Sequence, residues 1–265
     1  MSDESPVLFQ VTPGQTAVIT LNRPERHNAF NAEVIASLTE IFDLLSNNTD
    51  EVRFVILRGA GKSFSAGADL DWMKDQSMNT LDANREDAQA LADMLHKLYT
   101  LPQMTVALVQ GAAMGGGAGL VAACDVAVAV KDTKFKFSEV KLGLTPATIS
   151  PFVVRAIGPR WAKALFVSAE GFDASFAHQI GLVQYVVDSI DALGGMEEHL
   201  ATLAFAAAPG AIADAKALVD DVVGEEIDHG LMKGLAKRIA ERRASDEGKE
   251  GLAAFLEKRK PSWAE

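Results

Sequence analysis

Residues 105–119 read Thr105-Val106-Ala107-Leu108-Val109-Gln110-Gly111-Ala112-Ala113-Met114-Gly115-Gly116-Gly117-Ala118-Gly119. An apolar run gives way to five glycines in the nine positions 111–119, and small apolar residues continue through Ala123. The pattern predicts a strand at 105–109, a glycine-rich turn and a helix. A strand feeding a helix through a tight turn is the unit from which α/β folds are built, so the fold class depends on whether the unit recurs.

It recurs on both sides. Upstream, residues 7–10 and 17–21 read as short strands separated by a Pro13-Gly14 turn. Asn31 is placed to cap a helix whose apolar residues Val34, Ile35, Leu38, Ile41, Phe42 and Leu45 repeat at the helical period. Phe54-Val55-Ile56-Leu57 is too uniformly apolar for a half-wet strand and reads as a buried one. Leu91, Met94, Leu95 and Leu98 mark an amphipathic helix within 81–99. Downstream, residues 126–130 and 135–137 are strand-like, and beyond Pro151 the pattern turns helical, with Asp173 and Gly181 as start and stop signals of one helix. The last 65 or so residues carry dense alternating charge, as on a solvated or assembly face. The reading is an α/β core with a helical C-terminal extension.

Composition narrows the function. The chain has 265 residues with 25 Lys+Arg against 36 Asp+Glu, a formal charge of −11, which argues against nucleic-acid binding. Its single cysteine, Cys124, excludes a disulfide framework and fits a reducing compartment. No apolar run approaches the roughly 20 residues of a membrane helix, and the polar start Met1-Ser2-Asp3-Glu4 is unlike a secretory or transit signal, so a cytoplasmic location without membrane contact is expected. Gly59-Ala60-Gly61-Lys62-Ser63 imitates the end of a P-loop, but Ile56 stands where the motif needs glycine. Gly115-Gly116-Gly117 fails the dinucleotide fingerprint, whose third glycine would fall on Leu120. The five histidines are scattered without ligand spacing, so no metal is expected.

Three segments remain. Phe64-Ser65-Ala66-Gly67-Ala68-Asp69-Leu70 follows a buried strand with residues small enough for a ligand to approach the backbone, or it is a plain turn capped by Asp69. Residues 111–119 offer a helix N-terminus to an oxyanion, or glycines for close helix–sheet packing. Ser138-Glu139-Val140-Lys141-Leu142-Gly143-Leu144 places a carboxylate at a strand end, where such residues are often merely solvated. Taken singly, each has an ordinary structural explanation.

In this order and at these separations, the three resemble the enoyl-CoA hydratase/isomerase (crotonase) family. The likeness runs from Leu21-Asn22-Arg23-Pro24 and Asn28-Ala29-Phe30 to Phe255-Leu256-Glu257-Lys258-Arg259-Lys260-Pro261. It implies a crotonase-type spiral of ββα turns over residues 1–195 carrying an acyl-CoA site. A helical region over 196–265 would then assemble homotrimers or hexamers. It also implies that the N–H groups of Ala68 and Gly116 form an oxyanion hole for a thioester and that Glu139 exchanges the proton. Ala66 would meet the adenine end of CoA, Asp69, Leu70 and Asp71 would border the pantetheine and acyl groups, and Arg26 and Lys258 would face its phosphates. CoA would enter as part of the substrate, with no separate cofactor. The pattern departs at Gly119, where the family's hydratases carry a second glutamate. Within the family, residues 137–158 resemble a bacterial branch assigned to 3-methylglutaconyl-CoA hydration in leucine breakdown, or to a related terpenoid-acid hydratase. The expected activity is thus hydration of a 2-enoyl-CoA. A Δ3,Δ2-enoyl-CoA isomerase using Glu139 alone and a non-catalytic acyl-CoA binder are the alternatives.

Overall fold

The alternation of strands and helices builds two sheets and a shell of helices in the computed structural model, which describes residues 5–264. The acidic start at 1–4 lies outside that range. The larger sheet has β1 (Val7–Val11), β2 (Thr16–Leu21), β3 (Phe54–Gly59), β4 (Met104–Val109), β6 (Val126–Val130) and β9 (Tyr185–Val187), in the order β1-β2-β3-β4-β6-β9. Only the β1–β2 hairpin is antiparallel; the other pairings are parallel. The smaller sheet joins β5 (Ala112–Met114), β7 (Lys134–Lys136) and β8 (Gly171–Asp173). Isolated parallel bridges continue it sideways, from Ala113 to Ser65 and from Ala68 to Phe30. Chain order therefore repeats one path: a strand in the large sheet, a short extended piece in the small layer, then a helix.

The helices of these turns are α1 (Ala32–Asn47), α2 (Leu70–Gln76), α3 (Leu81–Tyr99), α4 (Gly116–Ala123) and α5 (Ser150–Ser168). Asn31 caps α1 by accepting the Val34 N–H at 3.0 Å. Gly158, at φ +72°, breaks α5 before Pro159. Asp173 caps α6 (Ala174–Gln179), and Gly181 follows its end at φ +92°. The central strands β2, β3, β4 and β6 are buried on both faces, as their apolar runs require, whereas the edge strands β1 and β9 are partly exposed. Val55, Leu57, Ala107 and Val109 face the main core with α1, α3 and α4, whereas Phe54, Ile56, Val106 and Leu108 face a second core. That second core is closed by Leu193, Leu200 and Ala204 of α7 (Asp191–Ala206). Helix α7 runs through position 195, where the sequence reading divides the chain, and its inner face packs on the sheet.

Helices α8 (Pro209–Val222), α9 (His229–Ala244) and α10 (Asp246–Glu257) complete the chain. No single helix among the described residues is long and apolar enough to cross a membrane.

Arg53 fastens this C-terminal part to the sheet. Its guanidinium donates to the carbonyls of Trp263 at 2.5 Å and Ala207 at 2.8 Å, with longer bonds to Phe205 and Ala204. These bonds tie together carbonyls at the end of α7, where the last C=O groups of a helix are short of intrahelical partners, and one from the C-terminal turn. Arg53→Met keeps the stem but removes the guanidinium bonds to these carbonyls. It is expected to lower stability by about 3 kcal/mol, read as a lower denaturant midpoint at unchanged slope.

Candidate functional site

The small layer brings the three sequence segments together. Phe64 and Ser65 donate to the carbonyls of Gln110 and Ala112 at 2.9 and 3.0 Å, and Met114 donates back to Ser65 at 2.9 Å. On the other side Phe30 donates to Gly67 O at 2.6 Å and accepts from Asp69 N at 2.7 Å. Phe30 thus uses both of its main-chain groups on the residues flanking Ala68. No acceptor among the described residues pairs with the Ala68 N–H itself.

Gly116 opens α4, where the first N–H groups have no intrahelical partner. Gly115 before it has φ +48° and donates to Lys136 O at 2.9 Å. A β-carbon added at Gly67 would lie 2.7 Å from Met114 O and 3.6 Å from Gly116 N, so the segment carrying Ala68 runs directly against the α4 N-terminus. One added at Gly116 would lie 3.0 Å from the Phe30 ring. Two main-chain donors share one small space, and the small residues are what allow it.

Glu139 enters the same space from the turn after β7. A β-carbon at Gly115 would sit 3.0 Å from its Oε1. Its Oε2 is buried without a hydrogen-bond partner. Burial accordingly raises the pKa of this carboxyl above the ordinary glutamate value, only partly offset by a bond from its own backbone N–H. A half-buried carboxyl facing two unpaired amides can move a proton next to a developing oxyanion.

The other sequence candidates have definite places. Ala66, Ala68 and Leu70 are exposed, alternating with buried Gly67 and Asp69. Asp69 is 5% exposed and turned inward, with Oδ2 on Arg23 at 2.9 Å and Oδ1 accepting the Asp71 N–H at 3.0 Å as the N-cap of α2. Burial alone would raise its pKa, but bonds from Arg23, Asp71 and Trp72 and the Arg23 charge outweigh that and hold it below the aspartate range. Arg26 and Asp71 form an exposed ion pair at 3.1 Å beside this segment. Lys258 follows α10 in a left-handed conformation, on a helix that packs against α9.

Sequence reading missed three participants. Arg23 and Asn28 appear in it only as part of a signature. In the structure, Asn28 is buried, accepts from Arg23 N at 2.8 Å and donates to Ala60 O and Ser63 O. The third is Ile149. A β-carbon at Gly119 would lie 2.3 Å from Ile149 Cγ2 and 2.9 Å from its Cβ. The space where a second glutamate would start is therefore filled by a buried isoleucine. No sequence pattern signals this contact between α4 and the residue before α5.

Residues 12–265 match the profile of the enoyl-CoA hydratase/isomerase family. A solved structure from Legionella pneumophila, assigned to the enoyl-CoA hydratases/isomerases (crotonases), is 45% identical, with a TM-score of 0.91 over 98% of this chain and 99% of that one. Pseudomonas aeruginosa AtuE is 36% identical, with a TM-score of 0.93 over 98% of this chain and 100% of its own. The short-chain-enoyl-CoA hydratase of Clostridium acetobutylicum is 32% identical over 249 residues, 93% of each chain.

The state of Glu139 has a measurable consequence. Its folded pKa lies above its unfolded value, so the charged form weighs against the fold once pH exceeds the raised pKa, and the penalty fades as pH falls into the ordinary glutamate range. Glu139→Gln should therefore unfold at a higher temperature than the unmodified chain at pH 7–8. The gain should vanish towards pH 4, as followed by thermal melts across pH.

Proposed function

The chain belongs to the enoyl-CoA hydratase/isomerase (crotonase) family, and from that premise we propose that it is a hydro-lyase adding water across the double bond of a 2-enoyl-CoA thioester. The single observation that carries the proposal is the convergence of the Ala68 and Gly116 N–H groups with the Glu139 carboxyl.

The thioester carbonyl accepts from both amides, and conjugation extends its polarisation to C3. The Glu139 carboxylate takes one proton from water as the water oxygen bonds to C3. The electron pair of the double bond moves to the thioester oxygen, where the two donors hold the enolate. The protonated Glu139 then returns a proton to C2, so one water is added in sum. One such donor is typically worth about 10²–10³ in rate, because it acts on charge that the ground state lacks. The raised pKa of Glu139 suits both halves, since it must accept a proton and then release it near neutral pH.

Ala66 is proposed to meet the adenine end of CoA through its backbone, with Leu70 and Asp71 along the pantetheine and acyl chain. Arg26 is proposed to supply charge for the phosphates, as is Lys258. Asp69 is already engaged on both carboxyl oxygens, so it would border the ligand through its main chain. CoA arrives with the substrate.

With Ile149 filling the space at Gly119, one carboxylate must do the work of the usual two, and the acyl chain would make up the difference. A 3-methylglutaconyl group carries a distal carboxylate that could order the attacking water, which favours this substrate class. The same lone carboxylate also supports the second reading, proton transfer from C2 to C4 and back in a Δ3,Δ2-enoyl-CoA isomerase. Exposed Ile227, just before α9, and exposed Phe255 and Leu256 in α10 support assembly into homotrimers or hexamers through the C-terminal helices. Sedimentation showing only monomer at micromolar concentration would contradict that.

Incubation of 3-methylglutaconyl-CoA and crotonyl-CoA in isotopic water should give labelled 3-hydroxyacyl product, faster for the former, and Glu139→Gln should lose about 10²–10⁴ in rate. Unlabelled double-bond migration in a 3-enoyl-CoA would select the isomerase. Binding without either reaction would leave the acyl-CoA binder. The close contact at Gly119 makes a further outcome specific. Gly119→Glu alone should fold poorly, and Gly119→Glu with Ile149→Ala should recover soluble protein and raise crotonyl-CoA hydration above that of Ile149→Ala alone.

A further inference from the structure

We propose that Arg23 is a positioning residue for the oxyanion hole, holding the Ala68 N–H in place from behind through Asp69 and Ala29. The inference rests on the reading that Ala68 N–H is one of the two oxyanion donors. It assigns the accuracy of that donor to a side chain that touches neither substrate nor reacting atoms.

The argument starts from what a main-chain donor needs. An N–H has no rotamer, so its direction is set by where the residues on either side are fixed. For Ala68 those neighbours are Gly67 and Asp69, and both are clamped by Phe30, through Gly67 O at 2.6 Å and Asp69 N at 2.7 Å. The guanidinium of Arg23 grips both sides of that clamp. One nitrogen donates to Ala29 O at 2.7 Å, immediately before Phe30, and another donates to Asp69 Oδ2 at 2.9 Å, immediately after Ala68. The contacts form a closed ring through Arg23, Ala29, Phe30, Gly67, Ala68 and Asp69. Arg23 is itself anchored, its own N–H lying 2.8 Å from Asn28 Oδ1.

Two features separate this pair from an ordinary surface ion pair. Its side chains are 17% and 7% exposed, so water competes weakly for either charge. The geometry also uses the planar fork of arginine to bridge two acceptors on different chain segments, which a lysine point charge cannot do in the same way. Capping α2 does not need Arg23, because Asp69 Oδ1 already receives the Asp71 N–H. The remaining task for the guanidinium is to fix Asp69 relative to Ala29. The Phe30 ring carries the effect further, since it packs against Gly116, the other donor.

A purely structural staple would lower stability without altering how a bound carbonyl is polarised, and that difference can be measured. The probe is 2,4-hexadienoyl-CoA, a conjugated thioester whose absorption moves to the red when its carbonyl is polarised. It is bound in the Glu139→Gln background so that it is not consumed. Arg23→Met is expected to keep probe affinity within about threefold and to lose at least half of the red shift. With Glu139 intact, it should lower kcat tenfold or more on the enoyl-CoA that the unmodified chain turns over, with KM changed far less. Asp69→Asn should act in the same direction, and the double variant should be little worse than either single one, as expected of two residues acting as a unit. Arg23→Lys, which retains the charge, guards against a Met variant that does not fold, and it should show an intermediate shift. A full red shift in a folded Arg23→Met or Arg23→Lys variant would overturn the proposal, as would losses confined to KM. Failure of the hydratase reading looks different: the parent then shows the red shift but forms no labelled product. A parent with no red shift would sink the oxyanion-hole reading, and this proposal with it.

Discussion

A main-chain amide cannot be aimed by turning a side chain, and the proposed site is built around two of them. The path of the whole backbone must therefore bring two chain segments almost into contact, with the donors left unpaired. Every close approach in the small layer serves that condition. Gly67 lies against Met114 O, Gly116 against the Phe30 ring, and Gly117 against Ser65, where an added β-carbon would come within 2.7 Å of the Ser65 carbonyl. Larger residues at these places would push the segments apart before they could obstruct a ligand. The two-sheet architecture supplies the rigidity, because the short segments that carry these amides follow central strands of a large sheet packed between two cores.

The same constraint explains which parts were legible in the sequence. Elements with a strong period or a clear terminus read correctly: α1 with its Asn31 cap, the buried strand β3, α3 over Leu81–Tyr99, and α6 between Asp173 and Gly181. The three-residue strand β5 lay hidden inside the glycine-rich stretch, because a turn and a short strand of small residues look alike in one dimension. The winding of the chain into successive turns of two strands and a helix came only from family likeness, since strand order is not written in periodicity. The segments around Ala68, Gly116 and Glu139, which the fold brings together, were singled out in the sequence. Their support was not, because Arg23 meets Asp69 across 46 positions and Ile149 meets Gly119 across 30, pairings that no local pattern encodes.

Asp69 illustrates how burial decides between two readings of one residue. The sequence allowed either a helix cap or a ligand contact. In the fold both carboxyl oxygens are taken up, one by the α2 N-terminus and one by a guanidinium largely sheltered from water. Glu139 is its opposite: a carboxyl with one oxygen shut away and unpartnered, raised rather than lowered in pKa. Two acids in adjoining segments are driven in opposite directions by their surroundings. The one left unsatisfied is the one available for chemistry.

The strand order of the large sheet also bears on how the chain leaves the ribosome. Each large-sheet strand, from β1 through β2, β3, β4 and β6 to β9, is added at the edge its predecessor in that sheet has just made, so the turns can dock one after another as synthesis proceeds. Arg53 breaks that vectorial scheme, since its partner Trp263 lies 210 residues later. At about 5–20 residues per second, that gap corresponds to roughly 10–40 s before the full set of guanidinium bonds can form, and the outer face of the sheet stays uncovered for the earlier part of it, until α7 arrives. Any chaperone that recognises apolar strand surface would meet this face during that interval, and the arrival of α7 and the C-terminal tail would end the encounter.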